Sequence, residues 1–226
     1  MSGRAAVRGP AGAMHESDHY ESGTTPSADD VTEVLADVVK ALDADGLPYL
    51  VMGGLVANAF ARPRTTDDID IFVMPEHARH ALDVLDAAGF EVAEHDPMWL
   101  YKAWKNGVLV DVIFRSSGEV YLDDEMLERA VVKECRGTEL RMVSPEDLLV
   151  IKAVATAEHG AHHWYDALGI IARNKIDWDY LVHRARQAGP RRVLSLLLYA
   201  ESNDMAVPAE SVEKLFLIVH PRPEPE

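Results

Sequence analysis

Two runs of β-favouring residues, Trp99-Leu-Tyr-Lys-Ala-Trp104 and Val108-Leu-Val-Asp-Val-Ile-Phe114, flank Lys105-Asn106-Gly107. Asn-Gly tolerates the positive φ that a tight turn demands, so this dipeptide between such runs is the strongest short-range hairpin signal a sequence carries. The two runs must therefore pair antiparallel, and every architecture open to this chain contains a sheet with them as neighbours. Upstream, Pro48 to Met52 reads as a short buried strand, Gly53-Gly54 as its interruption, and Leu55 to Ala61 as a helix. Asp68-Ile-Asp-Ile-Phe-Val73 alternates acidic and apolar residues before turning wholly apolar, which predicts another strand.

Apolar residues Val31, Val34, Leu35, Val38, Val39 and Leu42 recur at helical spacing behind Ser27, a residue suited to capping. A second helix is expected from Pro75 to Ala88, a strand over Phe90 to Ala93, a short helix near Asp123 to Ala130, and extended pieces at Val131 to Glu134 and Glu139 to Met142. From Ser144 the pattern becomes helical throughout. Ser144-Pro-Glu-Asp147 supplies a cap, a proline in the first turn and early acids. Further helices are expected near Ala161 to Ala172, Trp178 to Gln187, Arg191 to Ala200 and Ala209 to Val219. The fold class is α+β, a mixed β-sheet flanked by helices and followed by a C-terminal helical region. The expected divisions are 1–28, a disordered leader in which Met14 is an alternative start; 29–143, the sheet domain; 144–220, the helical region; and 221–226, a proline-rich tail.

Charge narrows the function. The 226 residues carry 38 acidic and 22 basic side chains, a net charge of −16, so a general phosphate-backbone binder is disfavoured. The one cysteine, Cys135, excludes an internal disulfide and a cysteine-rich zinc site, which fits the reducing cytoplasm. No apolar stretch approaches the roughly 20 residues of a membrane span, and the first 28 residues lack the apolar core of an export signal.

The acids carry most of the chemistry. Asp68 and Asp70 lie two apart on an expected strand, so their carboxylates share one face, within reach of a common cation. Asp-x-Asp is a common pattern, and a solvated edge strand is its ordinary explanation. Asp111 is harder to explain away, because a carboxylate between Val110 and Val112 is costly unless paired or metal-bound.

Gly53-Gly54 at a strand-to-helix turn, then Arg64-Thr65-Thr66-Asp67-Asp68-Ile69-Asp70, then Asp111 resemble, in type and order, the polymerase-beta-like nucleotidyltransferase superfamily. Within it the chain looks most like the small prokaryotic branch of AbiEii-type toxins and minimal nucleotidyltransferases, with the resemblance running from about Val31 to Lys152. It implies transfer of a nucleoside monophosphate from an NTP to an acceptor hydroxyl or phosphate. Asp68, Asp70 and Asp111 would be catalytic and would hold Mg²⁺, two ions being expected and Mn²⁺ a possible substitute. Gly53 and Gly54 would let the backbone approach the triphosphate, Arg64 would stand near the phosphates or on the acids, and Lys152 would face the triphosphate. Thr66 is expected to bond the turn backbone and hold the acidic strand in register.

The implied acceptor is a tRNA end or a small hydroxylated molecule such as an aminoglycoside, and a protein antitoxin is a possible partner. A non-catalytic nucleotide-binding or antitoxin-paired regulatory module is the alternative, against which the three acids weigh. Arg62, Arg64, Lys102 and Lys105 are expected to converge on a basic rim adequate for an RNA end. His159, His162 and His163 read as a solvated turn rather than a zinc site, with Asp166 preserving part of the family's pattern there. Trp99 and Tyr101 share one hairpin face with Trp104 on the other, and cross-strand packing is their expected use. Cys135 has no histidine nearby in sequence to activate it.

Overall fold

Ser27 opens the first helix, α1 (Ala28–Asp45), with a capping box: its hydroxyl oxygen accepts from the Asp30 N–H, and the Asp30 carboxylate accepts from the Ser27 N–H. Gly46, at φ 73°, closes it. The computed structural model describes residues 26–63, 66–155 and 161–221. Nearly all of the expected leader, most of the expected tail, Arg64 and His159 lie outside these described residues.

The order continues as β1 (Tyr49–Met52), α2 (Gly53–Phe60), β2 (Asp68–Val73), a 3-10 turn at Pro75–His77, α3 (Ala78–Ala87), β3 (Glu91–Asp96), β4 (Leu100–Lys105) and β5 (Val108–Ile113). Then come α4 (Asp124–Glu128), β6 (Val131–Cys135), β7 (Thr138–Met142), α5 (Pro145–Ala155), α6 (Ala161–Arg173), α7 (Trp178–Gln187), α8 (Pro190–Glu201) and α9 (Ala209–Val219). Two expectations shift. The glycines are the first turn of α2 rather than a break before it, and His162 and His163 sit in the first turn of α6 rather than in a solvated turn.

The strands form one mixed sheet ordered β3-β4-β5-β2-β1-β7-β6. Asn106 (φ 52°) and Gly107 (φ 77°) make the tight turn between β4 and β5. That turn pairs Lys105 with Val108 and, three steps back on each side, Lys102 with Asp111. β2 lies parallel to β5, which sets Asp70 beside Asp111, and antiparallel to β1, which sets Met52 beside Asp70.

This register gives the sheet two unlike faces. Ile69, Ile71 and Val73 of β2 join Val108, Val110 and Val112 of β5 on a face with no solvent exposure, packed against α1 and α3. Lys105 points to that side, where its ammonium meets Asp37 of α1 at 2.6 Å and lies over the Phe90 ring. The opposite face carries Asp68, Asp70, Asp111, Lys102 and Trp104. Residues an odd number apart on a strand face opposite ways, so Lys102 and Lys105 cannot share a basic rim. The expected rim is not formed, and Lys102 joins the acids instead.

Ser144 caps α5 by accepting from the Asp147 N–H at 3.0 Å. α5 is buried from Glu146 to Ala153 and packs against α6, α7 and α8, which makes it the axis of the helical half.

Candidate functional site

Asp68 and Asp70 from β2 and Asp111 from β5 each offer a carboxylate oxygen, and these oxygens all lie within 4.8 Å of one another. The strand period puts the first two on one face, and the parallel pairing of β2 with β5 brings in the third from a segment remote in sequence. All three are half-buried.

Each acid is held differently. The Thr66 hydroxyl donates to Asp68 Oδ1 at 2.6 Å, so Thr66 fixes the acid directly rather than through the turn backbone as expected. Asp70 Oδ2 accepts a long bond, 3.4 Å, from the Gly54 N–H at the start of α2. Asp111 Oδ1 is buried and has no hydrogen-bond partner among the described residues. Such an orphan acceptor is costly in a folded protein and marks where a cation fits.

The electrostatics agree. Burial, followed by repulsion from Asp68 and Asp111, pushes the Asp70 carboxyl well above the usual range, while Lys152 and the Gly54 N–H oppose the shift. Asp111 is pushed up to about 6 by burial, against the pull of Lys102 and with Asp68 adding repulsion. Two neighbouring carboxyls that resist ionising in isolation suit an ion of opposite charge. Oxygen donors in a tight cluster are the chemistry Mg²⁺ or Mn²⁺ accepts, so the residues fit the implied metal.

The glycines are locked to this site. Gly53 has φ +68°, and a Cβ built there would stand 1.7 Å from Asp70 Oδ2. Only glycine lets β1 turn into α2 against that carboxylate. The residue preceding α2, Met52, supplies no side-chain cap, so apart from the Gly54 N–H already on Asp70 the first turn keeps N–H groups available to an anion.

Lys152 of α5 is 4% exposed, and its ammonium lies 3.1 Å from Asp166 Oδ2 and 3.4 Å from His163 Nδ1, both on α6. Its charge reaches Asp70. The structure thus brings Gly53, Gly54, Thr66, Lys152 and the three acids to one site. The sequence marks Asp166 only as part of the family's pattern and gives His163 no site role, because no local signal joins either residue to Lys152. Lys102 was legible in principle, since a two-residue turn at Asn106-Gly107 dictates its pairing with Asp111. The aromatic residues fall as expected. Tyr101 packs on Phe114 with ring centroids 4.9 Å apart, and Trp104 lies on the other face.

Comparison with known proteins places the chain in a class. The family model described as "Uncharacterised nucleotidyltransferase" matches residues 22–202. The chain belongs to that family and is a nucleotidyltransferase, as its resemblance to the superfamily implied. No curated protein matches its sequence. Among solved structures, an antigenic nucleotidyltransferase-like protein from Paracoccidioides brasiliensis is similar at 14% identity and a TM-score of 0.50, over 84% of this chain and 94% of that one. The antibiotic-resistance factor ANT(2'')-Ia is 20% identical with a TM-score of 0.42, over 84% and 90% of the two chains. The lincosamide antibiotic adenylyltransferase LnuA, solved with lincomycin bound, is 12% identical with a TM-score of 0.46, over 65% and 99%. The likeness to the Paracoccidioides protein is one of fold.

Proposed function

We propose that the chain moves a nucleoside monophosphate from an NTP to an acceptor hydroxyl, releasing pyrophosphate, with Asp68, Asp70 and Asp111 as its catalytic acids. The observation that carries this reading is the meeting of three carboxylates from two strands, one with a buried oxygen left without a hydrogen bond among the described residues.

Mg²⁺ held by the three acids would neutralise charge on the triphosphate and lower the pKa of the attacking hydroxyl. The first turn of α2, with Gly53 and Gly54, offers backbone N–H groups to phosphate oxygens, and Lys152 adds a positive charge on the same side. Thr66 keeps Asp68 in position. Asp111, on the strand beside Asp70 and facing the same side, is placed to accept the proton of the attacking hydroxyl. The acceptor oxygen then bonds to the α-phosphorus as the bond from that phosphorus to the β-phosphate oxygen breaks.

The helical half walls the cleft through Lys152, His163 and Asp166. The acceptor is an RNA end or a small hydroxylated molecule. Cys135 as the single thiol agrees with a cytoplasmic setting, and no helix among the described residues is long and apolar enough to cross a membrane.

The test is incubation of the full chain with each α-labelled NTP and Mg²⁺, with total tRNA or an aminoglycoside panel as acceptor and Asp70→Ala as control. Mass spectrometry of the labelled product should show one added nucleoside monophosphate, lost in the variant. Label on neither pool despite measurable NTP binding supports a nucleotide-binding or antitoxin-paired module instead. Equal labelling by Asp70→Ala removes the site assignment.

A further inference from the structure

Four strands place a line of residues across the acid face: Lys102 on β4, Asp111 on β5, Asp70 on β2 and Met52 on β1. Met52 runs directly into Gly53. The glycine turn thus stands at one end of the line, a lysine at the other, and the acids between.

Lys102 is 5% exposed. Its charge acts on Asp111 and holds that carboxyl down, yet it makes no ion pair within 4 Å with any described residue. Burying an ammonium without a close partner is expensive, and a lysine is rarely kept so without a ligand to meet. Asp111 offsets part of the cost at a distance. When a divalent ion shares that carboxylate, the offset is divided and the lysine requires another anion.

In-line displacement puts the entering oxygen and the departing pyrophosphate on opposite sides of the α-phosphorus. With the triphosphate on the glycine side, the acceptor enters from the Lys102 side. A neutral hydroxyl does not replace a carboxylate as partner to a buried ammonium, whereas a phosphate oxygen does. Trp104, two residues along β4 on the same face, adds aromatic surface for a sugar or base.

We propose that Lys102 is the acceptor-binding residue and that the acceptor carries a phosphate beside its attacking hydroxyl. This rests on the reading of the acid triad as the transfer site. It favours a nucleotide, a sugar phosphate or an RNA terminus over a polycationic drug, which Lys102 would repel. Lys102 donates to the acceptor phosphate and takes no part in the bond exchange at the α-phosphorus.

AMP and adenosine are a matched pair of probes, with the same ribose hydroxyls and only one bearing phosphate; total tRNA is the macromolecular arm. The full chain should use AMP at least about tenfold better than adenosine as judged by kcat/KM, the size of one charge-assisted hydrogen bond. Lys102→Met should erase that preference, Lys102→Arg should restore part of it, and the KM for the NTP should stay within about twofold in both. Lys152→Met should instead raise the KM for the NTP. No AMP preference, a preference that survives Lys102→Met, or a Lys102→Met defect confined to the NTP each overturns the assignment. If Lys102→Met does not fold by circular dichroism, Lys102→Arg and the wild-type preference decide.

If only tRNA takes label, the same Lys102→Met and Lys102→Arg comparison is made on the KM for tRNA. Should the wild type label no acceptor at all, the transfer reading fails separately. Calorimetry of inorganic phosphate added to the protein saturated with Mg²⁺ and α,β-methylene-ATP then decides on Lys102. Phosphate binding lost in Lys102→Met upholds the anion site; binding that is equal in both, or absent from both, overturns it.

Discussion

Burial pushes two carboxyls in this molecule, Asp147 and Asp111, up to about 6, but their surroundings have little else in common. Asp147, on α5, accepts from the Ser144 hydroxyl at 2.6 Å, from the Tyr180 hydroxyl at 3.1 Å and from Arg184 Nε at 3.0 Å. Arg184 extends to Asp123 at 2.6 Å and ties α7 to the residue capping α4. Both oxygens of Asp147 have donors, so the cluster is a joint between helices. Asp111 keeps a buried oxygen with no partner among the described residues, and its neighbours are two other acids and Lys102, which acts on it without a close contact. Equal pKa shifts therefore mean different things, and hydrogen-bond satisfaction separates a structural carboxylate from one reserved for a ligand.

The contrast breaks most sharply at Asp111. Asp111→Asn should lower nucleotidyl transfer by roughly 10³-fold while changing the metal-free melting temperature only slightly, because an amide removes a poorly solvated charge but also the offset it gives Lys102. Steady-state kinetics and calorimetry on one preparation check both halves; a large loss of stability would make the triad structural. Arg184→Met should do the reverse. Leaving Asp147 buried without its cation should cost about 3 kcal/mol, or ~10 °C in melting temperature, with turnover at 20 °C within about twofold of wild type.

Gly53→Ala lies between these cases because one glycine serves both chain and site. The added carbon collides with the Asp70 carboxylate and the backbone is at positive φ, so stability should fall by about 2 kcal/mol and transfer should fall with it. A fully active, stable alanine variant would show that the turn is not held against Asp70.

The smallest effect is a pH slope. Asp70 and Asp111 hold protons more tightly folded than unfolded, so their stabilising contribution is complete below the unfolded value of 3.8. It is lost as pH rises through about 6 for Asp111 and about 7 for Asp70. Without metal, the melting temperature should fall across that window. Mg²⁺ should raise it by a few degrees at pH 7.5 and hardly at all at pH 5, where protons occupy the acids. The slope that remains in saturating Mg²⁺ belongs to groups such as Asp147, which shifts in the same direction but has no metal to gain. Melting curves over a pH series, with and without Mg²⁺, measure it.

Much of this was written in short windows of sequence. The Asn106-Gly107 turn set the hairpin and, by counting back from it, the pairing of Lys102 with Asp111. The alternation in Asp68 to Val73 set two acids on one face, and Ser27 and Ser144 set two helix starts. These features were legible because turn chemistry, strand period and capping act over a few residues of backbone. Tertiary structure alone decided that β2 would lie parallel to β5, that Asp37 would be the partner of Lys105, and that Asp166 would meet Lys152. Those choices follow from burying whole apolar faces of sheet and helix against one another, and the free energy of doing so belongs to segments far apart in the chain.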